Sequence, residues 1–401
     1  MAHFHFAWEL GGGLGHAGRL LPLAQEALAR GHRVSLSLRD VTQTQALLGN
    51  LQAPIFQAPI WLHQVRGIPE PAISLAEILQ GCGYLNADTL RGLFRAWSSL
   101  LSALKPDVVV GDYAPTALLA CRTLGIPHAS IGIGFWLPPA GQALPNLRDW
   151  EAAQPGRLQS AEARLLQAAN TLLGEVQAPA LAQAWELFHG QHTFAQTWPE
   201  FDHFQRGKLP DGQRWWGPAV SAHSGQDPVW PPAAGPRVFA YLKAQHPDHA
   251  LVLKALLALG CVVECYMPEV ASGKPPPVVH ASLHYAKGPV HLSQTLQTAV
   301  LCINHAGEAT MAAALLAGVP VFLMPTQTEQ FLAARSVEVA GLGLNASARQ
   351  RPLDYAQLLK PLLADGTARQ AAQAFAQRHQ GFTPQQQARD LVDAIEQRQQ
   401  P

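Results

Sequence analysis

Two stretches of this chain combine residue types that do chemistry. In one, Asn304-His-Ala-Gly-Glu-Ala-Thr310 is followed by an Ala/Leu-rich run, Gly318-Val-Pro320, Met324-Pro325 and the acid-amide pair Glu329-Gln330. A helix starting near Ala306 presents free backbone N–H groups and the positive end of its dipole, which attract phosphate without a dedicated cation. His305 can donate to a phosphate oxygen, Gly307 lets the backbone come close, and the Thr310 hydroxyl can donate from the first turn. Glu329 and Gln330 fall on the loop just past the following strand, where open parallel sheets bind ligands. The combination reads as a diphosphate cradle beside a polyol clamp; the bland alternative is a βαβ unit with a structural histidine.

The other stretch is Gly11-Gly-Gly-Leu-Gly-His-Ala-Gly18. It satisfies G-x-G-x-x-G through Gly13, Gly15 and Gly18, and Asp40 lies near the end of the second expected strand, where a dinucleotide site keeps its ribose-binding acid. An NAD(P)- or flavin-dependent oxidoreductase is therefore a real competitor. His16 in the same turn offers different chemistry. A neutral imidazole can take a proton near neutral pH. The imidazole needs a carboxylate to fix which nitrogen is basic. Asp112 follows Pro106-Asp-Val-Val-Val-Gly111, just beyond the carboxyl end of an expected parallel strand, whereas Asp107 precedes that strand and reads as a cap or a solvated acid. Capping or phosphate contact is the alternative role for His16.

The elements that must position these residues follow from periodicity. Residues 3–8 predict a strand, 11–16 a glycine-rich turn, 17–30 an amphipathic helix with Leu20, Leu21, Ala24, Ala27 and Leu28 on one side, and Val34–Leu38 the next strand. Further on, 86–104 and 114–124 predict helices around a buried strand at 108–110, with another strand at 127–133. Strand-helix alternation of this kind implies a doubly wound parallel sheet. Composition shifts to Pro, Gly and Trp between about 205 and 236, as in Arg214-Trp-Trp-Gly-Pro218 and Val229-Trp-Pro-Pro232. A second α/β unit starts at Arg237-Val-Phe-Ala-Tyr241 and continues through a helix at 251–259 and strands at 262–266, 299–303 and 319–324, with Gly318 stopping the helix between the last two. The expected division is a first domain over 1–215, a linker over 216–236, a second domain over 237–384, and a helix over 385–401.

At 401 residues the chain is long enough for two ordinary domains. Basic and acidic residues number 28 each, so nothing marks a nucleic-acid or anionic-membrane partner. The five cysteines form no CxxC pair and are odd in number, which argues against a disulfide scaffold and for a reducing cytoplasm. The N-terminus has no basic n-region, and the most apolar stretch, 311–325, is shorter than the roughly 20 residues that span a bilayer. No transmembrane helix is expected, and peripheral membrane contact stays open. No D-x-D pair occurs, which disfavours a cation-dependent sugar-nucleotide site, and no G-x-S-x-G elbow occurs, which lowers an esterase reading.

The His305–Gln330 segment resembles the donor-binding signature of inverting nucleotide-sugar glycosyltransferases, the group that includes UDP-glycosyltransferases, antibiotic glycosyltransferases and bacterial rhamnosyltransferases. The resemblance covers nearly the whole chain and is concentrated in this segment and the N-terminus. It implies a GT-B fold, α/β with two Rossmann-like parallel-sheet domains facing a central cleft, and the terminal helix packing back on the first domain. It implies His16 as the general base, with Asp112 orienting it. The implied donor set is Gly15, His291, His305, Ala306, Gly307, Glu308, Thr310, Glu329 and Gln330, with no metal and no cofactor beyond the nucleotide-sugar co-substrate. A non-catalytic GT-B binding or helper protein is the remaining alternative.

Two departures bear on the donor. Where UDP-sugar enzymes carry a Glu eight residues after the phosphate histidine, this chain has Ala313. A carboxylate accepting from ribose hydroxyls makes charge-assisted bonds worth about 1.5–3 kcal/mol each, so an apolar residue suits 2′-deoxyribose. That favours a dTDP-sugar such as dTDP-rhamnose, while Glu308 keeps UDP-sugars open. In place of the family's small Gly/Ser turn the chain has Phe239-Ala-Tyr-Leu-Lys243, where Lys243 offers a cation instead. Trp61, Phe135 and Trp136, on loops after strands of the first half, predict an apolar pocket for a hydrophobic hydroxylated acceptor, with simple core packing as the alternative.

Overall fold

The computed structural model describes residues 1–152, 154–220, 225–364 and 366–397. Residues 221–224 of the expected linker, 398–401 of the expected terminal helix, and positions 153 and 365 lie outside the described residues.

The chain divides into two compact units, 1–217 with 385–401 and 218–384. The first is built on six parallel strands, β1 (His3–Trp8), β2 (Arg33–Leu38), β3 (Ile55–Gln57), β4 (Val108–Asp112), β5 (His128–Gly132) and β6 (His192–Ala195), in the spatial order β3-β2-β1-β4-β5-β6. Apolar and β-branched runs such as Val108-Val-Val110 form strands buried on both faces, as a parallel sheet covered by helices requires. The order reverses between β1 and β4, which pair in register with Phe6 opposite Val110 and Trp8 opposite Asp112. Such a switch point opens a crevice at the carboxyl ends of the two strands.

Phe4, Phe6, Leu20, Leu23, Leu36, Val110 and Ile131 make the core of this unit. The helix Pro384–Gln397 closes it. Its Ala388, Leu391, Val392 and Ile395 follow helical spacing and join the same core, and Gln387 Nε2 donates to the Trp216 carbonyl at 2.9 Å. Arg30 supports the docking with bonds to Asp393 and Glu396.

The second unit repeats the plan with β7 (Arg237–Tyr241), β8 (Val262–Tyr266), β9 (Leu283–Ala286), β10 (Leu301–Asn304), β11 (Val321–Leu323) and β12 (Gly343–Asn345), ordered β12-β11-β10-β7-β8-β9. Its switch point lies between β7 and β10, and its core is formed by Val238, Leu253, Leu256, Val263, Ile303, Phe322 and Leu359. Both chemistry-bearing stretches therefore begin where a sheet reverses its order.

Candidate functional site

In the first unit the site is assembled by the turn between β1 and the helix Gly15–Ala29. Gly11 and Gly13 both adopt φ of +81°, the left-handed region that side chains avoid, and the chain is back in helical geometry by Leu14. The helix thus begins at Gly15, so Gly15 and His16 occupy its first turn rather than the preceding loop. Asp112 is the last residue of β4, not the first beyond it. These small shifts bring the two residues together: His16 Nδ1 lies 3.0 Å from Asp112 Oδ2, and both side chains are buried. A carboxylate can only accept here, so Nδ1 carries the proton and Nε2 is the basic nitrogen.

Nε2 lies beneath Gly11, where an added Cβ would come within 2.4 Å of it. The ring stacks on Trp8, at 5.0 Å between centroids and 14° between planes, and meets Trp136 at 4.7 Å, tilted by 33°. Trp136 in turn stacks on Tyr113 at 5.2 Å and 7°. Gly132 makes this arrangement sterically available, since a Cβ there would stand 1.9 Å from Trp136 Nε1. One helical turn after His16, the buried Arg19 places Nη1 3.7 Å from Asp112 Oδ1. Neither Trp8, Tyr113 nor Arg19 was singled out by motif. For Arg19 the available signal was its i+3 spacing from His16 on one helix face.

Behind this cluster Glu9 is buried against the start of the helix Pro115–Leu124. It accepts from the Thr116 N–H at 2.9 Å and from the Thr116 hydroxyl, which also meets Tyr84 Oη at 2.8 Å. Burial pushes its carboxyl up to about 7 against the opposing pull of the Thr116 bonds. Asp40, the acid that a dinucleotide site would need, instead caps the helix Val41–Leu48 through the Gln43 N–H. Asp107 accepts from the His3 N–H at 2.6 Å, a structural role at the edge of the strand.

In the second unit the helix begins at Glu308, with Gly307 as its N-cap residue, two positions after Ala306. The reason is local: Asn304 Oδ1 accepts the Ala306 N–H at 2.8 Å, and Ala306 turns to φ of +61°. Glu308 and Thr310 fall in the first turn, as a phosphate cradle requires. His305 departs from the expectation of a phosphate donor. Its Nδ1–H donates to the Met324 carbonyl at 2.7 Å, and its Nε2 accepts the Lys243 N–H at 2.8 Å. Both nitrogens are thereby engaged with main chain, and burial lowers its basicity. As bonded, the ring ties the loop after β7 to the strand ends at β10 and β11. His246, on its sequence an ordinary histidine, lies on that loop with its ring 5.8 Å from His305 and its pKa pushed down to about 4, by burial first and by the neighbouring His305 next.

Glu329 and Gln330 occupy the first turn of the helix Thr328–Val339 instead of a loop, and Gln330 Oε1 accepts from the Thr326 N–H at 3.0 Å, just before the N-cap residue Gln327. His291 is the N-cap residue of the helix Leu292–Thr298, and its N–H donates to the Gln226 carbonyl at 2.8 Å. Of the three aromatic residues assigned to an acceptor pocket, only Trp136 reaches His16. Phe135 is buried edge-on against His203, 5.8 Å between centroids, while Trp61 packs on His63 and beside Gly83. A cavity of about 620 Å³ opens next to that loop, lined by His63, Ile68, Ile78, Gly81 and Cys82 among others.

No protein-family model matches the chain. Over 79% of its length it is 28% identical to a PGL/p-HBAD biosynthesis glycosyltransferase of Mycobacterium tuberculosis, covering 76% of that protein. It is also 28% identical to a PGL/p-HBAD biosynthesis rhamnosyltransferase of Mycobacterium bovis, over 79% of the chain and 73% of the relative. Among solved structures, the spinosyn rhamnosyltransferase SpnG complexed with thymidine diphosphate superposes with a TM-score of 0.66 at 17% identity, covering 96% of this chain and 99% of that one. The fold is that of the GT-B glycosyltransferases.

Proposed function

We propose that this chain, a glycosyltransferase of the GT-B fold, moves a sugar from a nucleoside diphosphate to a hydroxyl of an apolar small molecule or lipid, inverting the anomeric carbon and using no metal. The observation that carries the reading is the 3.0 Å bond between His16 Nδ1 and Asp112, which leaves Nε2 basic beneath Gly11. In the proposed step Nε2 takes the acceptor's hydroxyl proton as that oxygen forms its bond to the anomeric carbon. The carbon–oxygen bond to the diphosphate breaks and its electron pair leaves with the diphosphate. Asp112 stabilises the imidazolium that forms. The helix start at Gly307–Thr310 cradles the diphosphate, and Glu329 and Gln330 hold sugar hydroxyls.

For the donor we favour a dTDP-sugar such as dTDP-rhamnose over a UDP-sugar. Ala313 leaves no carboxylate for a ribose 2′-hydroxyl, and the rhamnosyltransferase relative and the thymidine diphosphate complex of SpnG support the same choice. Among the described residues no helix is long and apolar enough to cross a membrane, which is compatible with a cytoplasmic enzyme that meets its acceptor in solution or at a membrane surface. The test is thermal melting of the purified protein with dTDP, UDP, GDP, NAD and NADP in parallel. A ligand at about 100 times its dissociation constant stabilises the folded state by about 2.7 kcal/mol. A shift with dTDP larger than with UDP is expected; a shift with UDP alone overturns the deoxyribose preference, and one confined to NAD or NADP overturns the donor assignment.

A further inference from the structure

Arg19 stands out among the buried charges. Its side chain is buried, with 7% exposed, and its Nε and Nη1 make no hydrogen bond. The groups facing it are Asp112, whose Oδ1 lies 3.7 Å from Nη1 and accepts no hydrogen bond either, and Trp136, whose ring centroid is 5.2 Å from the guanidinium carbon. Removing a guanidinium from water costs several kcal/mol, and a hydrogen-bonded ion pair offsets much of that. Here the offset is partial: the ion pair is long, and both oppositely charged atoms keep unfilled bonding capacity. A purely structural arginine would be expected to close that 3.7 Å gap into a bidentate bond.

The arrangement has a different consequence for His16. Asp112 has two oxygens and two cationic or donating neighbours, His16 on Oδ2 and Arg19 on Oδ1. With Arg19 held back from hydrogen-bonding distance, Oδ2 keeps its bond to the imidazole, while the guanidinium charge balances the buried carboxylate and its planar face packs on the indole that walls the imidazole. We propose that Arg19 is a positioning residue of the transfer, setting the orientation and strength of the His16–Asp112 bond through Asp112 and Trp136 without touching substrate. The proposal rests on His16 and Asp112 acting as described above.

The test reads the bond itself. In protein carrying 15N-labelled histidine, the His16 Nδ1 proton is assigned by its loss in His16→Gln, and its exchange rate with water is measured in wild type, Arg19→Met, Arg19→Gln and Arg19→Lys. Arg19→Met keeps the apolar stem and removes the charge; Arg19→Gln provides a second uncharged variant should the first fold poorly, with dTDP-dependent melting as the check on folding. The expected result is exchange accelerated at least tenfold in Arg19→Met and Arg19→Gln, restored to within about threefold of wild type in Arg19→Lys. Unchanged exchange in both uncharged variants overturns the proposal. Absence of any protected His16 Nδ1 proton in the wild type, with Asp112→Asn spectra identical to it, instead overturns the His16–Asp112 reading on which the proposal rests.

Discussion

Gly11→Ala should damage chemistry far more than stability. The variant's methyl group would stand 2.4 Å from His16 Nε2, and restoring a contact of 3.4 Å requires the ring to move by about 1 Å. The ring is already in close contact with Trp8 and Trp136, at 5.0 and 4.7 Å between centroids, and is bonded to Asp112, so the shift pulls Nδ1 away from Asp112 or turns Nε2 off its line of attack. A 1 Å misplacement of a reacting group costs about 100-fold in rate. The backbone contribution is smaller: alanine at φ of +81° costs about 1–2 kcal/mol, a drop of a few degrees in melting temperature. The assay is turnover of dTDP-rhamnose with 2-naphthol at neutral pH, where the hydroxyl of this apolar acceptor stays protonated and must lose its proton to a base, alongside melting with and without dTDP. The expected outcome is kcat lowered about 100-fold with the dTDP-induced shift retained. Turnover within threefold of wild type in a folded Gly11→Ala protein would refute the assignment of Nε2 as the reacting nitrogen.

Other outcomes follow from the same geometry. Asp112→Asn replaces an acceptor-only carboxylate with an amide that can also donate, so neither the His16 tautomer nor the charge balance is fixed, and kcat should fall by about 10²- to 10⁴-fold with donor KM little changed; an equal rise in KM at constant kcat would point to donor binding instead. Ala313→Glu should raise kcat/KM for a UDP-sugar relative to its dTDP counterpart by about tenfold or more, the value of one charge-assisted bond to a ribose hydroxyl, and no change in that ratio would remove Ala313 from the donor's surroundings. Glu9 holds its proton to about pH 7 in the folded protein but to about 4.5 when unfolded, so the folded state binds more protons between those values. Its contribution to stability therefore declines as pH rises through that window, by about 3 kcal/mol at most. Glu9→Gln should flatten the fall in melting temperature between pH 5 and 7.5, and an unaltered slope would show that Glu9 is ionised throughout.

Much of the architecture was legible in the chain because its strands are short apolar runs bounded by clear stops. Arg237–Tyr241 and Val262–Tyr266 fall where periodicity puts them, and Gly31 and Gly318 end their helices with positive φ. Ile55–Gln57 and His192–Ala195 were not legible: strands of three or four residues at sheet edges carry too few side chains for a period of two to show.

At the site, the pairing of His16 with Asp112 was legible from the family resemblance and from strand position, since Asp112 ends β4 and His16 opens the helix that follows its neighbour β1. What encloses the pair does not follow, because it depends on register and on which residues across a sheet share a face. Trp8, the last residue of β1, meets His16 across the glycine-rich turn, and Tyr113 and Trp136 come from separate segments that stack only in three dimensions. The engagement of His305 by Lys243 and Met324 was equally hidden, since it joins residues 62 and 19 positions apart through main-chain groups that any sequence would offer.

The most direct test of the proposed mechanism compares wild type with His16→Ala using dTDP-rhamnose of defined anomeric configuration and 2-naphthol, following the product's anomeric proton by NMR. The account predicts a product of opposite configuration from wild type and a rate lowered at least 10³-fold in His16→Ala, about 4 kcal/mol of lost transition-state stabilisation, with dTDP binding preserved. A product of retained configuration, or a folded His16→Ala protein that turns over as fast as wild type, would contradict it.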